Sequence, residues 1–276
     1  MPTTVADVLR AVEELWPVGG AESWDAPGLV VGAGEQSVSH IRLAVDAVAA
    51  TVDDTIEQGA DMLLVHHPLL LRGVTTIAES TYQGAVLSRL VRAGVALLAA
   101  HTNADVVETG TSATIAAALG LRDVAPLVPD ASGTRGLGSV GTLAAAEPLG
   151  SLAARLGALL PETATGIRVA GDFDRPVRRV AVCAGAGDSL LNAAAVRGSD
   201  VYITSDLRHH PASAAVEAGG PALIDTSHWA SEWLWLSQAA AQLRHALPET
   251  TVTVSDVRTD PWDFVVVQSP ELRRVP

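Results

Sequence analysis

Apolar residues recur along the chain at two spacings, one typical of helices and one typical of buried strands. In residues 3–16 they lie three and four positions apart, which predicts an amphipathic helix. Elsewhere short apolar runs end in polar residues and lead into a helical pattern, and this alternation predicts an α/β protein. The runs are IRLAVD at 41–46, DMLLVHH at 61–67, VALLAAHTNAD at 95–105, RRVAVCAGAGDSLL at 178–191, DVYITSDLRHH at 200–210 and PALIDTSHWASEW at 221–233, with a last strand expected within TVTVSDVRTDPWDF at 251–264.

The length of 276 residues and one stretch rich in Pro, Gly and Ser predict a division into two lobes. That stretch, at about residues 126–142, is expected to be a connection or a domain edge. We expect a first α/β lobe made of residues 1–127 and 226–276, and a smaller second α/β lobe made of residues 128–225.

Composition and charge narrow the classes of function. The chain has no uninterrupted apolar run of about 18 residues, so no membrane span is expected. Its N-terminus, MPTTVADVLRAVEELW, lacks the basic and then apolar layout of a signal peptide, which predicts a cytoplasmic protein. The formal net charge of −13 makes nucleic acid an unexpected partner. Cys183 is the single cysteine, so a metal ion would have to be held by His and carboxylate side chains.

Histidines and acidic residues follow three of the predicted strands at their carboxyl ends. That edge of an open α/β sheet is where loops converge and ligands bind, so these side chains are expected to share a cleft. His228 and Glu232 are four residues apart and would project from one face of a helix towards one ion. Adjacent histidines suit two neighbouring ions, and two ions about 3.5–4 Å apart are the usual arrangement for activating water. The residues are His66 and His67, His101 and Asp105, and His228 and Glu232, and the first lobe is expected to carry most of the metal ligands.

Each of these pairs also has an ordinary structural interpretation. Adjacent histidines can be a structural pair beside a turn, and a His and a Glu four apart on a helix arise easily by chance. The equivalent position of all three pairs at strand ends favours a metal site. Asp46, which ends IRLAVD, could face the cleft, although an acidic residue at the end of a strand is more often a helix cap. Asp206, His209 and His210 fit a proton donor or substrate contact as well as they fit a polar turn.

Several motifs, in one order along nearly the whole chain, resemble those of the GTP cyclohydrolase 1 type 2 homologues, also called Nif-three-like proteins. The resemblance implies a two-lobed Nif-three-like α/β fold with mixed β-sheets flanked by helices, a site for two divalent metal ions, and a homo-oligomer, usually a hexamer. The motifs are ESWDAPGLVVG at 22–32, LLVHHPLLL at 63–71, AAHTNAD at 99–105, RRVAVCAGAGDSLL at 178–191, YITSDLRHH at 202–210 and LIDTSHWASE at 223–232.

The resemblance also implies how the ligands are shared between the ions. His67 and Asp105 would hold one ion, His66 and His228 would hold the other, and Glu232 would bridge them. None of the expected ligands is lost where the chain departs from residues that the family often has. The departures are at Ala26, Pro27, Ser205, Ser227 and Trp229.

These observations predict a metal-dependent hydrolase that acts on a small molecule such as a nucleotide. The family name suggests attack on the purine ring of GTP, and a nucleotide phosphoesterase is the alternative enzyme. Outside the enzymes, the alternative is a non-catalytic metal-binding or scaffolding protein. Five ligands are too few to saturate two ions, which leaves room for water and favours an enzyme. Imidazole and carboxylate suit Zn, Mn, Fe, Co and Ni, so the sequence does not select the metal. The candidate catalytic residues are His101, His209 and His210.

Overall fold

A computed structural model of the chain describes residues 2–266 and divides them into two units. The first unit contains the chain up to Gly110 and residues 235–259, and the second contains residues 111–234 and the described residues from Asp260 onward. The sequence analysis had assigned residues 111–127, residues 226–234 and the described residues from Asp260 onward to the first lobe. They lie in the second unit because residues 111–118 form a helix on its sheet and residues 122–129 form a strand of that sheet.

The first unit is built around a five-stranded sheet in the order β1-β4-β3-β2-β11. The neighbours β11, β2, β3 and β4 run parallel, and β1 is antiparallel to β4 at one edge. Every residue of β3 and β4 is buried, as expected for central parallel strands. The strands are β1 (Gly28–Val31), β2 (His40–Ala44), β3 (Met62–Val65), β4 (Ala96–Ala99) and β11 (Thr251–Val254).

One helix of the first unit was predicted with its bounds from the sequence. The predicted amphipathic helix at 3–16 is α1, and Thr4 caps it by accepting a hydrogen bond from the N–H of Asp7 while the Asp7 carboxylate accepts one from the N–H of Thr4. The helices are α1 (Val5–Leu15), α2 (Ala49–Glu57), α3 (Tyr82–Ala93) and the short α4 (Thr102–Asp105), with a 3₁₀ turn at Val18–Gly20.

The second unit is built around a six-stranded mixed sheet in the order β5-β6-β8-β9-β10-β7. The neighbours β8, β9 and β10 run parallel, and the outer pairs are antiparallel. The strands are β5 (Arg122–Pro129), β6 (Gly136–Pro148), β7 (Arg168–Ala170), β8 (Pro176–Ala186), β9 (Val201–Ser205) and β10 (Ala222–Thr226). The helices are α5 (Thr111–Ala118), α6 (Leu149–Leu159), α7 (Ala194–Arg197), α8 (His209–Glu217) and α9 (His228–Ala246), with a 3₁₀ turn at Asp188–Leu190. The division between the two units falls within α9, between Leu234 and Trp235.

The sequence analysis expected the Pro-, Gly- and Ser-rich stretch at 126–142 to be a connection or a domain edge, but the stretch lies within the second unit. It contains the end of β5 and the start of β6, which pair in an antiparallel hairpin. β5 is an edge strand, and an edge strand tolerates proline because one side of its backbone needs no partner. Gly138 has φ of 67° and lies where a Cβ would come within 2.8 Å of the Val182 carbonyl oxygen, so the glycine serves the close approach of two strands.

In the part of the chain that the structure describes, every helix is too short or too polar to cross a membrane.

Candidate metal centre

Three neighbouring strands of the first unit end in residues of the candidate site. In the sheet, Ala44 of β2 pairs with Val65 of β3, and Val65 pairs with Ala99 of β4. We call these three residues the strand-end row. Two positions beyond each member of the row come Asp46, His67 and His101. The parallel register therefore carries side chains from separate parts of the sequence to one edge of the sheet, as the strand-end argument predicted.

His66 and His67 reach the same cluster although they are adjacent in the chain. The backbone N–H of His66 donates to Ala44 O at 3.2 Å and that of His67 donates to Val45 O at 2.9 Å, so both residues extend the ladder between β2 and β3. His66 is fully buried and the His67 side chain is 27% exposed. Their ring centroids lie only 5.2 Å apart, so the turn at the end of β3 brings both imidazoles to one side.

His101 completes this group of imidazoles. Its ring centroid lies 5.1 Å from that of His66 and 5.5 Å from that of His67. The possible ligand atoms of the three histidines lie within 4.8 Å of one another. Asp105, on α4, has its Oδ1 atom 3.6 Å from His66 Nε2. The structure thus places His101 as close to the expected ligands His66 and His67 as they are to each other.

Each of the three imidazoles has its Nδ1 atom fixed by an oxygen acceptor. His66 Nδ1 bonds to the Ala100 carbonyl at 2.9 Å, His67 Nδ1 bonds to Asp46 Oδ1 at 2.7 Å, and His101 Nδ1 bonds to Asp25 Oδ1 at 2.7 Å. A carbonyl or carboxylate oxygen can only accept, so Nδ1 donates the proton and Nε2 carries the lone pair. Metal-binding histidines usually have this arrangement, in which the oxygen fixes the tautomer and the ring orientation.

The second unit holds the other expected ligands at the start of α9. His228 Nε2 and Glu232 Oε1 are 2.9 Å apart, one helical turn from each other. His228 Nδ1 bonds to Asp206 Oδ2 at 2.7 Å, so His228 has the same kind of oxygen support as the histidines of the first unit. Asp206 follows β9 and has φ of 57°, a conformation that aspartate tolerates better than most residues.

Gly185, near the end of β8, lies against this pair. It has φ of 69°, and a Cβ on it would lie 2.4 Å from Glu232 Oε1 and 3.2 Å from His228 Nε2. Its N–H donates to Ser231 Oγ at 3.0 Å. The positive φ favours glycine, and a side chain here would displace the carboxylate of the candidate ligand Glu232.

The protonation of these groups follows from their surroundings. Burial lowers the pKa of His101 below its usual value, and the neighbouring His66 lowers it further, which together outweigh the Asp25 carboxylate. For Asp25 burial raises the pKa, but hydrogen bonds from Thr102 and His101 outweigh it and lower the pKa. Burial also lowers the pKa of His228, yet the charge of Glu232 and the hydrogen bond to Asp206 raise it to about 11. Without a metal ion, His228 is therefore protonated at neutral pH, and a bound cation would replace that proton.

The donor set of each unit fits a divalent metal ion. Nitrogen and oxygen ligands of a tetrahedral zinc ion lie about 3.3 Å from each other, given bond lengths of about 2.0–2.1 Å. The 3.6 Å between His66 Nε2 and Asp105 Oδ1 needs only a small side-chain movement to match that separation. All the candidate ligands are imidazole or carboxylate, which suits Zn, Fe, Co, Ni and Mn.

The sequence analysis missed the carboxylates that support the histidines. Asp46 was expected to cap a helix, but α2 begins after Val48, and the Asp46 carboxylate instead accepts hydrogen bonds from His67 and from Thr259. Asp206 was weighed as a polar turn or a substrate contact, and its carboxylate bonds to His228. Asp25 was not considered at all, because it lies 76 residues from His101 in a loop without periodicity.

His209 and His210 stand apart from these groups. Both are exposed at the first turn of α8, and their ring centroids lie 5.0 Å from each other. Among residues 2–266, the sets of His and acidic side chains close enough to share an ion do not include either of them. The structure gives no support for a catalytic role of this pair.

Comparisons with known proteins place the chain in a family. The model of the Duf34/NIF3 (NGG1p interacting factor 3) family matches residues 3–261. A Streptomyces coelicolor protein named GTP cyclohydrolase 1 type 2 homolog is 48% identical over 274 residues, which cover 96% of either chain. A Mycobacterium leprae protein of the same name is 35% identical over an alignment of 373 residues. The alignment covers 96% of this chain and 96% of that protein.

Solved structures agree in fold. A Bacillus cereus protein related to NIF3 superposes with a TM-score of 0.89 at 23% identity, covering 96% of this chain and 100% of that chain. A Staphylococcus aureus protein superposes with a TM-score of 0.87 at 26% identity, with the same coverage of both chains. The expected fold, with mixed sheets flanked by helices, is confirmed. The chain belongs to the Duf34/NIF3 (NGG1p interacting factor 3) family.

Proposed function

We propose that the protein binds two divalent metal ions through His66, His67, Asp105, His228 and Glu232, and that it uses them to hydrolyse a small molecule. One observation carries the proposal: His66, His67 and His228 each have Nδ1 bonded to an oxygen, which leaves Nε2 as the atom that can bind an ion. An oxygen that fixes the tautomer and the ring orientation in this way is the usual support of a metal-binding histidine.

The chain's own residues would divide the work between holding the ions and handling the substrate. When bound, the metal ions supply a lowered pKa for water and polarise the bond to be broken. Asp46 and Asp206 hold the imidazoles of His67 and His228 in place. His101 points its neutral Nε2 at the same cluster as His66 and His67, where it can accept a proton from water or contact the substrate.

Two reactions fit such a centre, and the relatives' names favour one. The curated relatives are named as homologues of a GTP cyclohydrolase, which points to hydrolytic opening of a purine ring. A nucleotide phosphoesterase uses the same ligands and the same activated water. The chain lacks a GxxxxGK[ST] loop, so a P-loop mechanism is not among the alternatives.

Metal content and turnover together test the proposal. Wild-type protein reconstituted with Zn, Mn, Fe, Co or Ni is assayed on GTP, on a panel of nucleotide phosphoesters and on cyclic amides. His67→Ala and Glu232→Ala should lose turnover, and Glu232→Ala should lose paired occupancy while the fold is retained. His245→Ala, a substitution of an exposed histidine near the end of α9, serves as the matched control. Two ions that persist in Glu232→Ala would disprove the bridging role.

A non-catalytic metal protein is the result to be distinguished. Two ions per chain without turnover on any substrate would support metal binding or scaffolding instead of hydrolysis. The homohexamer implied by the resemblance and the cytoplasmic location expected from the N-terminus stay predictions, which sedimentation and cell fractionation can check.

A further inference from the structure

Trp24 presents an open aromatic ring beside the histidines of the first unit. The residue is 57% exposed, and its ring centroid lies 5.8 Å from that of His101, with the ring planes at 76°. Tryptophan is mostly buried in folded proteins, and in this chain Trp16, Trp229 and Trp235 are buried. The exposed surface of Trp24 therefore lies next to a group of candidate metal ligands.

Hydrogen bonds hold the loop that carries Trp24 against His101 and Thr102. The carboxylate of the next residue, Asp25, is fully buried and accepts hydrogen bonds from His101 Nδ1 and from the N–H and hydroxyl of Thr102. On the other side, the N–H of Glu22 donates to Thr102 Oγ1 at 2.9 Å. These bonds tie the chain on both sides of Trp24 to His101 and to Thr102, the first residue of α4.

We propose that Trp24 is the platform on which a planar heteroaromatic ring of the substrate stacks. This inference rests on the proposed function, because the ring it holds belongs to the molecule that is hydrolysed. Every heteroaromatic base offers a π-face, and stacking on an aromatic side chain contributes about 1–3 kcal/mol per base. Trp has the largest apolar ring and binds planar partners at low cost in side-chain entropy. The substrate class is accordingly a small molecule that carries a planar heteroaromatic ring such as a purine, and not a sugar phosphate alone.

Binding without turnover tests this role. The probes are GMP and ribose 5-phosphate, which differ by the aromatic base, and dissociation constants are measured by calorimetry on wild type, Trp24→Ala and Trp24→Phe. We expect wild type to bind GMP more tightly than ribose 5-phosphate. Trp24→Ala should weaken GMP binding by about 5- to 150-fold while leaving ribose 5-phosphate unchanged. Trp24→Phe keeps an aromatic face and should retain most of the affinity for GMP.

The matched control is Trp262→Ala, because Trp262 is 60% exposed and lies in the other unit. It should leave the affinity for GMP unchanged. Equal affinity of wild type for GMP and ribose 5-phosphate, or an unchanged ratio of the two in Trp24→Ala, would overturn the proposal. So would an unchanged GMP affinity together with dissociation of an oligomer in Trp24→Ala, which would make Trp24 a contact between copies of the chain.

Metal content of the same samples separates the two claims. Trp24→Ala is expected to keep its metal ions, since Trp24 offers no ligand atom. Absence of metal from wild-type protein, with the GMP preference intact, would defeat the metal-dependent hydrolase and leave the stacking site standing.

Discussion

Gly185 and Glu232 are so close that a Cβ on the glycine would lie 2.4 Å from Glu232 Oε1. The contact joins the end of β8 to the first turns of α9, and a Cβ at this position would fit only if the Glu232 carboxylate moved. The position of the Glu232 carboxylate thus depends on the backbone of a strand about 50 residues earlier in the sequence.

We expect Gly185→Ala to displace Glu232 and to lower metal affinity and stability together. Gly219→Ala is a close control, because Gly219 has the same φ of 69° but a Cβ on it would meet no atom within 4 Å. The control should lose roughly 1–2 kcal/mol from the positive φ alone. Gly185→Ala should lose a further 1–3 kcal/mol, roughly, from overpacking. Urea unfolding and metal analysis of both variants measure the difference, and equal losses would contradict the contact.

Asp46→Asn should weaken metal binding about 10- to 100-fold with little loss of fold. The Asp46 carboxylate accepts the proton of His67 Nδ1, whereas an amide can donate to that nitrogen and favour the tautomer whose Nε2 is protonated. A competition assay with a chromophoric chelator gives the affinity. Asp256→Asn, at an exposed position of the same unit, should bind metal like wild type. Similar affinities in the two variants would show that Asp46 does not orient a ligand.

Removal of metal should make stability fall with rising pH through His228. The pKa of His228 in the folded, metal-free protein is raised from 6.5 to about 11, so its contribution is complete below pH 6.5 and is lost as the pH rises towards about 11. Unfolding in urea with a chelator present, from about pH 6 to about pH 10, should show this decline in wild type and a weaker one in His228→Asn. Parallel curves for the two proteins would contradict the shift.

His209→Ala and His210→Ala should each leave metal content and turnover unchanged. Both side chains are exposed on α8, and such substitutions alter stability by about 0.5 kcal/mol or less. The double variant is assayed beside His101→Ala, and we expect only His101→Ala to change turnover. A loss of turnover in the double variant with normal metal content would return this pair to the active site.

The sequence predicted those parts of the site that repeat a simple pattern. Buried apolar runs marked β3 and β4, and a His or Asp beyond each strand marked the carboxyl edge of the sheet. Parallel strands place equivalent ends together whatever lies between them, so His66, His67 and His101 could be grouped before their geometry was known.

The rest depended on contacts that no local pattern encodes. Asp25 reaches His101 from a loop near the N-terminus, and a lone aspartate in a loop has many ordinary uses. The hairpin of β5 and β6 was missed because prolines and glycines usually mark turns. Here the prolines lie in an edge strand, and Gly138 allows β6 to lie close to β8. The ends of the lobes shifted for the same reason, since strand pairing assigns residues 122–129 to the second unit.

The strand-end row also determines where the chain can change length. Ala44, Val65 and Ala99 set the depth of Asp46, His67 and His101, and the loops and helices α2 and α3 between the strands do not. Residues added to those connections would leave the three side chains level with one another. A single residue inserted inside β3 would instead move His66 to the place of His67. The residues of β3 after the insertion would also change faces of the sheet, because successive residues of a strand face opposite ways. The connections that contain α2 and α3, beyond Asp46 and His67, are therefore the places to accept tags, labels or grafted loops without touching the centre.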